Sequence, residues 1–222
     1  MKTVKRSYKA ADPALSVTHF GNDMVHVAYD RLASVYDYAF GITLHPGRLR
    51  ALEKMKIEAG TEILEVGVGT GYGVTLYPES CHVTGIDLSP SMLKKAHERV
   101  KKKSLKNVKL FEMDASRLEF SNDQFDIVYA PYVMSVVPDP IQVAHEMWRV
   151  CRPGGEVVFL NHFRSENMIF SRFDKLISPL TIHVGFKADL DLSTFLLQTG
   201  LKPKWVEKVN YPPIWTLVIC EK

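Results

Sequence analysis

The chain has 222 residues, 46% of them hydrophobic and 24% charged, which is enough apolar material for a full core and excludes a disordered chain. No uncharged run reaches the roughly 18 residues of a membrane span; the longest, Val66 to Pro78, carries four glycines. The basic start Met1 to Arg6 runs into no apolar stretch of a secretory signal, so a cytoplasmic protein that does not cross a bilayer is expected.

Net charge is only +3, but the positive residues are clustered. Lys2, Lys5, Arg6 and Lys9 precede the first acid, Asp12. A second cluster, Lys94, Lys95, Arg99, Lys101, Lys102, Lys103 and Lys106, faces only Glu98. Such clusters suit an anionic partner, a lipid surface or a nucleic acid, and equally suit a solvated helix face. Three scattered cysteines, Cys81, Cys151 and Cys220, have no paired spacing for zinc or a redox dithiol and read as buried thiols; no metal site is expected.

In chain order, residues 1–21 read as a basic N-terminal tail without periodicity. Asn22 or Asp23 can cap an amphipathic helix carrying Val25, Ala28, Tyr29, Leu32, Val35, Tyr36 and Ala39. A second helix is expected from about Pro46 to Glu58, stopped at Gly60, so that 22–58 form a helical cover on a single domain running to residue 222. From residue 61 strands and helices alternate, the signature of an α/β fold with helices on both faces of a parallel sheet. Strands are expected at Glu62 to Val66, His82 to Ile86, Val108 to Glu112, Asp126 to Ala130 and Glu156 to Leu160. Ser89-Pro90 and Asp139-Pro140 each offer a cap followed by a first-turn proline. Residues 161–188, with four phenylalanines among basic residues, read as an insertion after strand five. Asp189 or Asp191 then caps a short helix stopped by Gly200, and Lys204 to Val209 with Ile214 to Cys220 read as a terminal hairpin.

The most informative stretch is Glu62 to Gly73, where an apolar strand ends in Glu65 and enters a loop with glycine at every second position. Alternate glycines permit positive φ and close approach of a ligand to main chain. The dinucleotide pattern G-x-G-x-x-G fails in both frames, because the third glycine would fall on Tyr72 or on Val74, so pyrophosphate binding is disfavoured. Ligands of open α/β sheets bind beyond the carboxyl ends of the strands, and here those ends carry Glu65, Asp87 and Asp114 in series.

This E-x-G-x-G-x-G loop, with those acids and the Arg152-Pro153-Gly154-Gly155 turn, resembles the class I S-adenosylmethionine-dependent methyltransferases over roughly residues 25–220. The resemblance implies a Rossmann-like seven-stranded sheet, parallel except for a last antiparallel strand, with N-terminal helices added. It implies S-adenosylmethionine as cofactor and S-adenosylhomocysteine as product. The cofactor site it implies takes Glu65, Gly67, Gly69 and Gly71 from the loop, and Asp87 for the ribose hydroxyls with Leu88 and Met92 beside it. Asp114, Ala115 and Ser116 are implied at the adenine edge, with Ala130 and Tyr36 completing the site.

Residues Ala130 to Pro140, Asn161 to Glu166 and the Tyr29 to Tyr38 segment narrow the likeness to the soluble bacterial phosphatidylethanolamine N-methyltransferases. That implies a phospholipid substrate, and a location at the inner face of an anionic membrane, held peripherally. Tyr132 and His162 are the implied catalytic positions, and Tyr29, Tyr132, His162 and Arg164 the implied substrate contacts. Tyr29 and Tyr36 read equally as core contacts of their helix. The amine proton has three candidate acceptors, Asp37, His162 and water. Two rival readings stand beside this one: a ubiquinone or menaquinone C-methyltransferase, and a non-catalytic cofactor-binding module on RNA or DNA. The lysine cluster lacks the stacking aromatics usual in nucleic-acid binders, so no nucleic-acid partner is expected.

Overall fold

The computed structural model describes residues 44–163, 190–210 and 213–222. The tail, the first expected helix with Tyr29, Tyr36 and Asp37, and all of the insertion from Arg164 to 188 lie outside the described residues.

Residues 44–54 form helix α1, which is already helical at Leu44, so Pro46 is not its first residue. It also ends four residues short of Glu58. The reason is a tertiary contact: the Lys56 amide donates to Glu156 Oε2 (3.1 Å) on a distant strand, not to the preceding turn. Seven strands follow. These are β1 (Glu62–Val66), β2 (His82–Asp87), β3 (Val108–Glu112), β4 (Phe125–Pro131), β5 (Cys151–His162), β6 (Pro203–Val209) and β7 (Trp215–Glu221). Between them run α2 (Pro90–Lys103), α3 (Pro140–Val150) and α4 (Leu192–Thr199).

The strand order is β3-β2-β1-β4-β5-β7-β6. β1 to β5 pair in parallel, whereas β7 is antiparallel to both β5 and β6. The sheet reverses its winding between β1 and β4, the place where open α/β sheets bind ligands. Both expected cap-plus-proline starts are present. Ser89 accepts from the Met92 amide, and Asp139 from those of Ile141 and Gln142. Asp191, one of the two expected caps, caps α4 through the Thr194 amide, and Gly200 stops it in the left-handed region; Asp189 lies outside the described residues.

One sheet face packs α1 and α2 through residues such as Ala51, Ile63, Leu93, Tyr129 and Leu217; the other packs α3 and α4 through Leu64, Val128, Met147, Phe159 and Phe195. The central strands read as apolar runs because both faces are covered, whereas the edge strands β3 and β6 are mixed in sequence and largely exposed. All three cysteines are buried and free; burial pushes the Cys151 thiol up to about 12 and that of Cys220 to about 11.

β5 is longer than the expected Glu156 to Leu160. It starts at Cys151 opposite Phe125, passes an irregularity through Pro153-Gly154-Gly155, and continues to His162. At its far end the ladder to β7 includes Asn161 opposite Thr216 and His162 opposite Trp215. Asn161 and His162 therefore belong to the sheet rather than to the insertion.

Candidate active site

The loop after β1 is shaped by glycine. Gly67, Gly69 and Gly71 have φ of +72°, +55° and +76°, values that L residues with a Cβ rarely adopt. The three do not serve one purpose. A Cβ at Gly67 would run into Val133 and one at Gly71 into Ala96, so those positions allow protein to pack on the loop. A Cβ on Gly69 would meet nothing within 4 Å among the described residues, so this is the glycine whose Cβ side is open to a ligand. Amides of Gly67 and Val68 both donate to Ile86 O (2.8 and 3.0 Å), tying the loop to the end of β2.

Asp87 fastens the same loop. Its carboxylate accepts from the Gly69 amide (2.8 Å) and from that of Ser89 (2.9 Å). Leu88, next to it, is 44% exposed, whereas Met92 is buried on α2. Beyond β3, Asp114 Oδ1 accepts from the Ser116 amide and hydroxyl (both 2.8 Å), which folds Asp114, Ala115 and Ser116 into a tight turn. α3 supports the chain that follows. Arg149 donates to the carbonyls of Leu118 and Phe120, while Glu146 accepts from the Leu118 amide.

Glu65 is 1% exposed, under the loop, where a Cβ on Gly73 would strike its carboxylate. Oε2 has no hydrogen-bond partner among the described residues, and burial pushes the carboxyl up to about 7, with Tyr77 and Arg48 opposing the rise. The Tyr77 hydroxyl lies close enough to act on this charge without meeting hydrogen-bond geometry. Near enough to act on that charge, Arg48 of α1 lies 6.0 Å from the Tyr72 ring and 4.9 Å from that of Tyr132, with Nε buried and without a partner among the described residues. Arg99 meets Tyr72 from α2 at 5.8 Å and donates to Thr70 O, so it points inward rather than joining the outward lysines.

Tyr132 follows β4 directly, with φ of +63°, a strained value for an aromatic residue. The strain is held from several sides. Its amide donates to Leu160 O (2.5 Å), its hydroxyl donates to Leu44 O (2.8 Å), and Asn210 Nδ2 donates to that hydroxyl (3.2 Å). Gly47 lets α1 come this close, since a Cβ there would lie 2.6 Å from the Tyr132 hydroxyl. Ala130, two residues earlier on β4, is fully buried. His162 is 8% exposed at the end of β5, and its ring stands 5.8 Å from that of Trp215.

Three comparisons bear on this arrangement. A family model described as a methyltransferase domain matches residues 64–159, which run from β1 into β5. Over 168 residues the chain is 41% identical to a phosphatidylethanolamine N-methyltransferase of Cereibacter sphaeroides, covering 75% of this chain and 82% of that one. The chain belongs to the class I S-adenosylmethionine-dependent methyltransferases. A demethylmenaquinone methyltransferase of Listeria welshimeri is 30% identical, over 71% of this chain and 69% of its own. Among solved structures, Haemonchus contortus phosphoethanolamine N-methyltransferase 2 in complex with S-adenosyl-L-methionine shares the fold. Its TM-score is 0.76 at 20% identity, over 93% of this chain and 60% of that one.

The methyltransferase cofactor is a zwitterionic amino acid joined through sulfur to an adenosine, and the residues present fit it. The open side of Gly69 offers main chain. The orphaned Glu65 Oε2 suits an ammonium and the orphaned Arg48 Nε a carboxylate. Carboxylates at the ends of β2 and β3 suit hydroxyl and amino donors. Of the residues singled out from sequence, the fold brings Glu65, the three glycines, Asp87, Asp114, Tyr132 and His162 to one end of the sheet. Arg48 and Trp215 were not singled out. The first is a lone cation on a helix read only for its apolar stripe, and the second a strand-opening residue of a hairpin.

Proposed function

We propose that this methyltransferase transfers methyl groups from S-adenosylmethionine to the amine of phosphatidylethanolamine, and then to its mono- and dimethyl forms, towards phosphatidylcholine. The observation that carries the reading is the 41% identity over 82% of a phosphatidylethanolamine N-methyltransferase. In this reading Asp87 accepts from the ribose hydroxyls and the turn at Asp114, Ala115 and Ser116 meets the adenine edge under Leu88. Glu65 faces the ammonium and Arg48 the carboxylate of the amino-acid end, across the main chain of Gly69. Tyr36, Met92 and Ala130 complete the site.

Bound there, the cofactor supplies a methyl already electrophilic on a sulfonium. The chain has to hold the acceptor nitrogen in line, keep water out and accept a proton. Orientation of this kind supplies about 7 to 11 kcal/mol of a barrier. Burial pushes the Tyr132 hydroxyl up to about 12, and the hydroxyl is engaged by Leu44 and Asn210. It is therefore a neutral, fixed phenol, and its contribution is its ring. His162, Asp37 or water takes the amine proton; Tyr29 and Arg164 are assigned to the head group.

Among the described residues no helix is long and apolar enough to cross a membrane. The lipid is then met at an anionic membrane surface, with Lys2, Lys5, Arg6 and Lys9 as the electrostatic contact on the cytoplasmic side. A C-methyltransferase acting on a quinol is the second reading, favoured by the 30% identity to the Listeria enzyme. Incubation with methyl-labelled cofactor and total bacterial lipid separates the two. Labelled mono-, di- or trimethylated phosphatidylethanolamine, formed without added metal and in chelator, is expected; label in a quinol alone would replace the first reading by the second.

A further inference from the structure

Four buried polar atoms share one place beneath the glycine loop. Glu65 Oε2, the hydroxyls of Tyr77 and Tyr129, and Arg48 Nε are all without a hydrogen-bond partner among the described residues. The fold brings them there from separate elements. Glu65 ends β1 and stands opposite Gly85 of β2 and Tyr129 of β4 in the ladders that flank it. Tyr77 follows the single 3₁₀ turn Gly73–Thr75, and Arg48 comes from α1. A Cβ on Gly73 would lie 2.4 Å from Glu65 Oε1, so the loop rests directly on the carboxyl. Arg48 is the cation that acts on Glu65, and it opposes the effect of burial without cancelling it. Arg99 of α2 is turned to Thr70 O and the Tyr72 ring, and His45 of α1 meets the edge of that same ring.

We propose that cofactor binding drives a proton off Glu65: the carboxyl is neutral in the free enzyme and becomes the carboxylate that faces the amino-acid ammonium of the bound cofactor. The proposal rests on the placement of Glu65 against that ammonium given above, and adds the protonation state on either side of binding. Desolvation disfavours the charged form of a buried carboxyl, and one cation at the distance of Arg48 does not offset it. An ammonium at the orphaned Oε2 adds the missing positive charge, while the cofactor's carboxylate meets Arg48 Nε. A neutral Glu65 would instead leave the ammonium as a buried charge without its counter-ion, the costlier arrangement. In the step itself the carboxyl O–H bond breaks, its electron pair stays on oxygen, and the proton passes to the solvent. Below pH 7 binding has to expel this proton, so affinity falls as pH falls; above pH 7 the carboxylate is already formed and affinity levels off. S-adenosylmethionine and S-adenosylhomocysteine share the amino-acid end and both expel the proton. 5′-Methylthioadenosine lacks that end and expels none.

The test uses the full chain and titrates S-adenosylhomocysteine from pH 5.5 to 7.5, below the range in which an α-ammonium gives up its proton. Wild-type affinity is expected to be about ten- to thirty-fold weaker at pH 5.5 than at pH 7.5, with the change confined to pH below 7. Calorimetry at pH 6 in buffers of different ionisation enthalpy should show roughly one proton released per S-adenosylhomocysteine bound. 5′-Methylthioadenosine should bind without that pH dependence and without that release. Glu65→Gln should bind S-adenosylhomocysteine at every pH about as weakly as wild type does at pH 5.5, with the proton release gone. Every histidine is common to the two proteins, so their difference isolates Glu65. Release of the same size in Glu65→Gln or with 5′-methylthioadenosine would overturn the proposal, as would a wild-type affinity that does not vary with pH. If Glu65→Gln does not fold, the contrast between the two ligands on wild type decides. Glu65→Gln binding as tightly as wild type at pH 7.5 would sink the placement of Glu65 in the cofactor site itself. Weaker binding by Glu65→Gln with no proton released by wild type would keep that placement and overturn the proton coupling alone.

Discussion

At Glu65 a carboxyl is sealed beneath the glycine loop, and burial holds it near 7 while its usual value is 4.5. The unfolded chain gives up that proton at lower pH than the folded one, so folding becomes less favourable as pH rises from about 4.5 to about 7 and levels off above. A rise of this size corresponds to roughly 3 kcal/mol. Urea unfolding of wild type and Glu65→Gln across pH 4.5 to 8 should show their stability difference changing by about that amount below pH 7 and staying level beyond. A difference independent of pH would mean that the carboxyl is not perturbed. Tyr77 and Tyr129, which burial raises well above their ordinary value, stay neutral throughout and add no step. Glu65 was legible in the sequence because an acid directly before alternate glycines has a recognisable place. Arg48 was not, because what makes it noteworthy is the pair of rings around it, Tyr72 and Tyr132, which lie 24 and 84 positions away.

The strand ends carry most of what could be read in advance. Asp87 could be placed because a carboxylate after an apolar run marks where a buried strand stops, and Asp114 because it follows a short strand pattern that forms the largely exposed edge strand β3. Boundaries set by distant partners were less accessible. α1 stops early because Glu156 takes the Lys56 amide, and β5 extends to His162 because β7 supplies partners there. Lys222 illustrates the same principle at the close of α3. Its ammonium donates to the carbonyls of Trp148 (2.9 Å) and Cys151 (2.8 Å) and pairs with Asp123 (2.7 Å). A cation among a helix's last carbonyls satisfies acceptors that the helix leaves over and offsets its negative end. Lys222→Met should destabilise the fold by about 1 to 3 kcal/mol, seen as a melting midpoint lower by roughly 2 to 10 °C. An unchanged midpoint would show those acceptors to be equally well served by water.

For the molecule as a whole, charge distribution bears on where the enzyme works. The lysines of α2 divide by position. Lys101, Lys102 and Lys103 sit in its last turn, where positive charge complements the helix end, so they have a structural reason independent of any partner. On the membrane reading proposed above, Lys94, Lys95 and Lys106 remain as candidates for contact beside Lys2, Lys5, Arg6 and Lys9, and the tail is the set that a deletion can test. Each contributes about 1 kcal/mol at an anionic surface. Deleting residues 2–20 is expected to reduce sedimentation with anionic vesicles and lipid turnover while sparing S-adenosylhomocysteine affinity. Vesicle binding that survives the deletion would remove the tail from consideration as an anchor.

The sheet order also sets a timetable for the nascent chain. β6 is made before β7 yet touches the sheet only through it, and β5 stays open along one side for the whole interval in which residues 163–214 are synthesised. At about 5 to 20 residues per second that is several seconds during which an apolar strand edge has no neighbour. Trp215 is the first residue of the strand that ends this wait, so its ring meets those of Tyr132 and His162 in the same event that closes the sheet.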